Sequence, residues 1–177
     1  MPDNDNTFDE VALELLYRKL EKPLYNVVYR WVWDGAEARD ILQETFLRLW
    51  KMQARVRPET VEPLAYKIAL NLARKRLRRK KILSWVGLEG RPPPQGDAPD
   101  PEQTMRQEER DEAVRAAVES LAPKYRDVIL LSEFSELTYD EIAHALEIQP
   151  GTVASRRHTA IKMLREKLEG WSPKEEP

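Results

Sequence analysis

The densest charge in the chain lies in YKIALNLARKRLRRKK, residues 66–81. It holds Lys67, Arg74, Lys75, Arg76, Arg78, Arg79, Lys80 and Lys81 and no acid. On a helix, Lys67, Asn71, Arg74 and Arg78 follow i, i+4, i+7, i+11 and share one face. Ala69, Leu70, Leu72, Ala73 and Leu77 supply the packed side. Such a helix repels itself unless counter-charge is near, and a phosphate backbone provides it. Asn71 is the one non-ionic polar group on the stripe, and an amide can read a base edge. The plainer alternative is a basic surface helix paired with acids of its own chain.

A second constellation lies in residues 137–168. Thr138 and Glu141 are spaced as a capping box, with Leu137 and Ile142 flanking at staple spacing. Tyr139, Ile142, Ala143 and Leu146 then share one helical face. Gln149-Pro150-Gly151 breaks that helix, and Thr152 is placed to cap the next. On the next helix Val153, Ala160, Ile161, Leu164 and Leu168 form an apolar stripe, opposite Thr152, Ser155, Arg156, Thr159 and Lys162. A short helix, a tight turn and a polar, basic second helix predict a helix-turn-helix, whose second helix enters a major groove. An ordinary αα-hairpin is the alternative. Arg157 falls within the apolar stripe, so it must snorkel or find a carboxylate.

A third group is Asp40, Gln43, Glu44 and Leu47, which share the outer side of a helix over 37–52. They read equally as a solvated acidic face or as a protein interface, an apolar anchor rimmed by acceptors that suits a basic partner. No catalytic constellation accompanies these groups. There is no carboxylate pair, nucleophile–base set or phosphate loop, and both histidines, His144 and His158, sit on the helix-turn-helix itself. With no cysteine there is no thiolate nucleophile, disulfide framework or cysteine-ligated metal. The sequence therefore predicts no catalytic residue, no metal, no cofactor and no small-molecule substrate.

These groups need helices to position them, and the chain supplies helical periodicity almost throughout. Helices are predicted over 8–21, over 24–33 after an interruption at Pro23, and over 37–52 with Asp34 and Glu37 as a cap. The inner side of the third carries Ile41, Leu42, Thr45, Phe46, Leu49 and Trp50. Residues 53–63 read as a loop, and 66–81 as the basic helix. RPPPQGDAPDPEQ has no periodicity and reads as a stiff linker, with Trp85, Val86 and Leu88 before it placed to pack on the first domain. A helix over 107–121 turns Ala113, Val114, Ala117 and Val118 inward, and one after Ala122-Pro123 is apolar nearly all round at Val128-Ile129-Leu130-Leu131. The expected fold is all-α: a domain over 7–83, a proline-rich linker over 84–106 and a four-helix domain with the helix-turn-helix over 107–170. The 177 residues suit two small domains, and 34% charged residues suit a soluble chain. A net charge of -2 by itself disfavours a nucleic-acid binder, but the cations are gathered on two surfaces and the acids lie elsewhere. No apolar run reaches membrane-spanning length and the N-terminus is acidic, which predicts a cytoplasmic protein without membrane insertion.

Taken together the residues resemble a family, the extracytoplasmic-function sigma factors of bacterial RNA polymerase. AEARDILQETFLRLW resembles that family's core-binding helix, PLAYKIALNLARKRLRR its promoter-melting helix, and LAPKYRDVILLSEFSELTYDEIAHALEIQPGTVASR its second domain. The resemblance runs from about Phe8 to Leu168, the linker excepted. It implies partners: the polymerase core, through its clamp coiled coil and flap, and promoter DNA. An anti-sigma factor, which often holds members of the family, is a further candidate. Asp40, Gln43 and Glu44, with Leu47 beside them, correspond to positions that dock on the clamp. Asn71 corresponds to an asparagine that helps hold a flipped minus-ten base, covered by the loop over 53–63. Lys67, Arg74, Lys75, Arg78 and Arg79 line the same groove. Ser155 and Arg156 correspond to minus-thirty-five contacts, with Thr152, Thr159 and Lys162 beside them, and Arg126 to an arginine near the DNA backbone. The chain departs from the family at Ala154, where a basic residue is frequent, at Arg157, where an apolar one is, at Thr159, where arginine is, and at Leu64, where tryptophan is.

Overall fold

A computed structural model describes residues 8–85 and 101–169, and side chains over 8–82 and 110–169. The described residues are helical, as expected. The N-terminal half holds α1 (Glu10–Val32), α2 (Gly35–Lys51) and α3 (Val61–Trp85); the C-terminal half holds α4 (Pro101–Glu119), α5 (Pro123–Phe134), α6 (Tyr139–Leu146) and α7 (Pro150–Glu169). The expectation that the side chains of Trp85, Val86 and Leu88 pack on the first domain falls outside the residues so described.

Pro23 does not interrupt α1. The helix runs through it because one buried line, Leu16, Leu20, Leu24, Val27, Val28 and Trp31, crosses it without a break, and that burial outweighs a lost backbone bond. Asp9 caps the start of α1 by accepting from the Ala12 amide at 2.8 Å. Trp33, in the left-handed region, closes its end. Asp34 then caps α2, accepting from the Glu37 amide at 3.0 Å, as the spacing predicts. Ala38, Ile41, Leu42, Thr45, Phe46 and Leu49 face inward, but Trp50 is 37% exposed and belongs to the surface.

The stretch over 53–63 is more ordered than a plain loop. It forms two short 3-10 turns, Gln53–Arg55 and Pro58–Thr60, and α3 begins at Val61, five residues before the apolar pattern becomes regular. Pro63 sits in the first turn of α3, where proline's missing donor costs nothing. Ala65, Tyr66, Ala69, Leu70, Leu72 and Ala73 are buried where α3 packs on α1, α2 and α6, and its cations lie at the edges of that packing and beyond it.

In the second half α4 starts at Pro101, inside the stretch read as linker. Ala117 and Val118 pack inward, whereas Val114 is 41% exposed. In α5, Val128, Ile129, Leu130 and Leu131 are buried against α7 and α6. The Thr138–Glu141 capping box forms in full. Those bonds, led by the Thr138 hydroxyl, hold the Glu141 carboxyl below its ordinary value. The helix ends on Glu147 in the left-handed region, and α7 restarts at Pro150. Thr152 is therefore inside the first turn of α7 and not its cap; its amide donates to the Gln149 carbonyl at 2.9 Å.

Candidate nucleic-acid interface

α7 is positioned by two fully buried residues, Val153 and Ala160, with Ile161 and Leu164 half-buried behind them. Their spacing turns Ser155 and Lys162 to the solvent and leaves Thr152, Arg156 and Thr159 partly exposed on the same outer side. The hydroxyls of Ser155 and Thr159 donate to carbonyls one turn back, at 3.1 and 3.0 Å. Arg157 resolves the conflict its position creates: it reaches across to Glu133 on α5 with Nε at 3.0 Å and Nη2 at 2.7 Å. It is an anchor of α7 on α5, not a strained charge. Leucine at this position does not raise the melting temperature of the chain. A half-exposed pair is lost and stability falls by under about 1 kcal/mol, as differential scanning calorimetry will show.

On α2 the acidic face is not a free solvated surface. Glu44 accepts from Arg48 at 2.6 Å and from Arg76 of α3 at 3.3 Å, and Arg76 lies 3.7 Å from Asp40. Burial pushes the Glu44 carboxyl up, but Arg48 and Arg76 outweigh it and leave it below its ordinary value. Lys80 reaches Glu37 in the same way. Sequence reasoning missed this role of Arg76 and Lys80, which spend their charge on α2. Gln43 and Leu47 point to the other flank of α2, into a groove of about 980 Å³ shared with Leu13, Tyr17, Phe46 and Trp50. Leu47 is 53% exposed, so the apolar anchor stands out from the surface as the spacing implies.

The stripe on α3 is formed, but its upper part is occupied. Lys67 donates to Glu147 at 2.7 Å, and Arg74 is bonded to Asp127 on α5. Asn71 is exposed between them, and its side-chain oxygen accepts from Arg74 at 2.9 Å. Lys75, Arg78 and Arg79 are exposed further along. For Lys67 and Arg74, then, the pairing with acids of the same chain is the arrangement seen. Asp127 is 5% exposed; burial pushes its carboxyl up, and Arg74 offsets this only in part.

Arg126 is not brought to the outer face of α7. It is 6% exposed and donates to the last carbonyls of α1, Arg30 at 2.7 Å and Trp31 at 2.9 Å. Its guanidinium lies 4.3 Å from the Trp31 ring centroid, while Arg30 lies 3.8 Å from the Phe134 ring centroid on α5. Burial lowers the Arg126 pKa to about 10. Asp127, Glu147, Arg30 and Trp31 were not foreseen as part of any site. The one available signal was a charged pair, Arg126-Asp127, directly before an apolar run.

The chain matches Sigma-70 region 2 over residues 16–82 and Sigma-70 region 4 over residues 111–164. It is 31% identical over 160 residues to the RNA polymerase sigma factor CarQ of Myxococcus xanthus, covering 89% of each chain. It is 30% identical over 168 residues to the ECF RNA polymerase sigma factor SigE of Mycolicibacterium smegmatis, covering 93% of this chain and 65% of that relative's length. Its fold is similar, with TM-score 0.62 and 20% identity, to the sigma factor RpoE solved with the anti-sigma factor NepR from Bartonella quintana, over 90% of this chain and 97% of that one. No described helix is long and apolar enough to cross a membrane. A polar outer face on α7, a cationic face on α3 and an apolar groove on α2 thus coincide with two matched regions in the family's order: the chain belongs to the extracytoplasmic-function sigma factors, which direct promoter-specific transcription initiation by RNA polymerase.

Proposed function

We propose that this chain divides initiation between three surfaces, as a specificity subunit that acts in the cytoplasm and has no catalytic site of its own. The supporting observation is that α3 buries Ala65, Tyr66, Ala69, Leu70, Leu72 and Ala73 and carries a line of cations with one amide, Asn71, on another side. The α2 surface of Asp40, Gln43, Glu44 and Leu47 docks on the clamp of the polymerase core. Asn71, with Lys67, Arg74, Lys75, Arg78 and Arg79, captures the melted minus-ten strand, where a basic groove tracks phosphates and an amide holds an unstacked base. Thr152, Ser155, Arg156, Thr159 and Lys162 dock on duplex minus-thirty-five DNA. Thr159 presents a hydroxyl in place of a guanine-reading guanidinium, so the duplex sequence preferred here differs from one read by arginine at that position. The functional halves are 7–83 and 107–170, with the connection between them shortened by the early start of α4. An anti-sigma factor, such as the one on the similar RpoE structure, is a further partner of this reading.

Leu47 carries the sharpest test of the core-binding surface. It is exposed and contributes nothing essential to the packed side of α2, so Leu47→Asp leaves helical content unchanged. An interface anchor of this kind is worth about 2 kcal/mol or more when lost, a drop of roughly thirtyfold in affinity for core polymerase. Titration of labelled chain with core measures it. Unchanged affinity would remove α2 from the interface.

A further inference from the structure

We infer that Arg76 attenuates core docking: its guanidinium sits against Asp40 and Glu44 on α2 and competes for them with the cations of the partner. This rests on the reading of α2 as the core-docking surface and adds the residue that sets how tightly that surface binds. Both oxygens of Glu44 are engaged within the chain. Arg48 donates to Oε1 through Nε at 3.1 Å and Nη2 at 2.6 Å, and Arg76 donates to Oε2 through Nη2 at 3.3 Å. The other terminal nitrogen of Arg76, Nη1, lies 3.7 Å from Oδ2 of Asp40. One guanidinium from α3 thus spans two acceptors on successive turns of α2, a pairing that a basic side chain on a partner would otherwise make.

The bridge lies where a docked protein can reach it. The Asp40 side chain is 66% exposed, Glu44 36% and Arg76 33%. Lys80 makes the instructive contrast. It also spends its charge on α2, but its closer partner, Glu37, is 11% exposed, so that pair lies below the surface a partner would touch. A cation approaching Asp40 or Glu44 finds the acceptors partly neutralised and a like charge beside them, and like charges brought together across an interface cost affinity. Gln43 and Leu47 line the groove on the other flank, with no share in the bridge. The apolar anchor and the attenuating charge therefore act separately. At a given concentration a weaker docking surface occupies less core, so Arg76 sets the concentration at which this chain takes the core.

The test titrates core polymerase into the fluorescein-labelled full chain at about 0.05 M and about 0.5 M salt, where screening is weak and strong respectively. Arg76→Gln is expected to bind core about three- to fivefold tighter at the lower salt, the gain from removing one like charge from a partly exposed contact, and to approach the parent at the higher salt. Arg76→Lys keeps the charge and binds as the parent does. Arg18→Gln removes the same charge from an exposed pair with Glu14 on α1 and also binds as the parent does. Arg76→Met removes the charge with an unbranched stem and serves if Arg76→Gln loses helical content. Binding no tighter without the charge at position 76, or weaker because Glu44 has lost an orienting partner, would overturn the attenuation. Equal tightening in Arg18→Gln would also overturn it, by assigning the gain to net charge. Leu47→Asp, titrated alongside, keeps two failures apart. A loss with Leu47→Asp and no gain with Arg76→Gln overturns the attenuation alone, whereas no loss with Leu47→Asp overturns the docking reading of α2 and the attenuation with it.

Discussion

Asn71→Ala leaves core binding and duplex docking intact and blocks promoter opening. The side chain is exposed, accepts one bond from Arg74 and packs against nothing that holds the fold, so the substitution costs little stability. In the proposed reading its contribution lies in holding a base that has left the stack. Loss of a base-edge contact is worth about 1–3 kcal/mol, and capture of the flipped base is the step that makes opening favourable. The rate of opening is expected to fall by one to two orders of magnitude, roughly the same energy expressed as a barrier. Permanganate reactivity of melted thymines follows the opening, and filter binding of the same complexes follows the docking. A template already mismatched over the minus-ten region rescues the variant in part, because the cost of unstacking has been removed. Normal opening, or a defect explained wholly by lost core binding, would place the melting pocket elsewhere.

Arg156→Ala produces the complementary defect. Arg156 is partly exposed on the outer side of α7, and no described acid of the chain pairs with it through a salt bridge within 4 Å. Removing a base-reading guanidinium weakens closed-complex formation by about 1–3 kcal/mol, or roughly five- to a hundred-and-fiftyfold. The loss is concentrated on the preferred duplex. Lys162→Ala, at an exposed position suited to phosphate contact, weakens all duplexes alike and lowers the salt dependence by about one counterion. Competition titrations at two salt concentrations separate the two behaviours. Equal losses on preferred and random duplexes would assign Arg156 to the backbone.

The local chemistry of the chain is readable without coordinates. The Thr138–Glu141 box and the Asp34 cap are set by side chains three residues apart, and such bonds form wherever the helix forms. The recognition-helix face follows from a 3.6-residue period in the same way. Pro23 misleads because its cost is local while the line from Leu16 to Trp31 that overrides it is tertiary. Thr152 misleads by two residues because proline is itself a good first residue, and Pro150 starts α7 before the threonine can cap it.

What the sequence does not display is the pairing between halves. Arg126 meets carbonyls of α1 from 95 and 96 residues away, and Lys67 meets Glu147 from 80. No periodicity encodes contacts of that separation. The composition does carry a trace: charges placed against a wholly apolar run, as Arg126-Asp127 are before Val128, must find partners or remain in solvent. The same reasoning finds Glu133 for Arg157, although it cannot choose between a carboxylate and snorkelling without the geometry of α5.

The central claim, that this chain supplies promoter choice to the polymerase core through separate duplex and single-strand surfaces, is tested most directly by transcription itself. Core polymerase mixed with this chain on genomic DNA, followed by sequencing of the 5′ ends of the transcripts, is predicted to yield a small set of discrete start sites that share two spaced upstream elements. Those starts disappear with Leu47→Asp and with Asn71→Ala. Start sites no different from those of core alone, or discrete starts that persist in both variants, would contradict it.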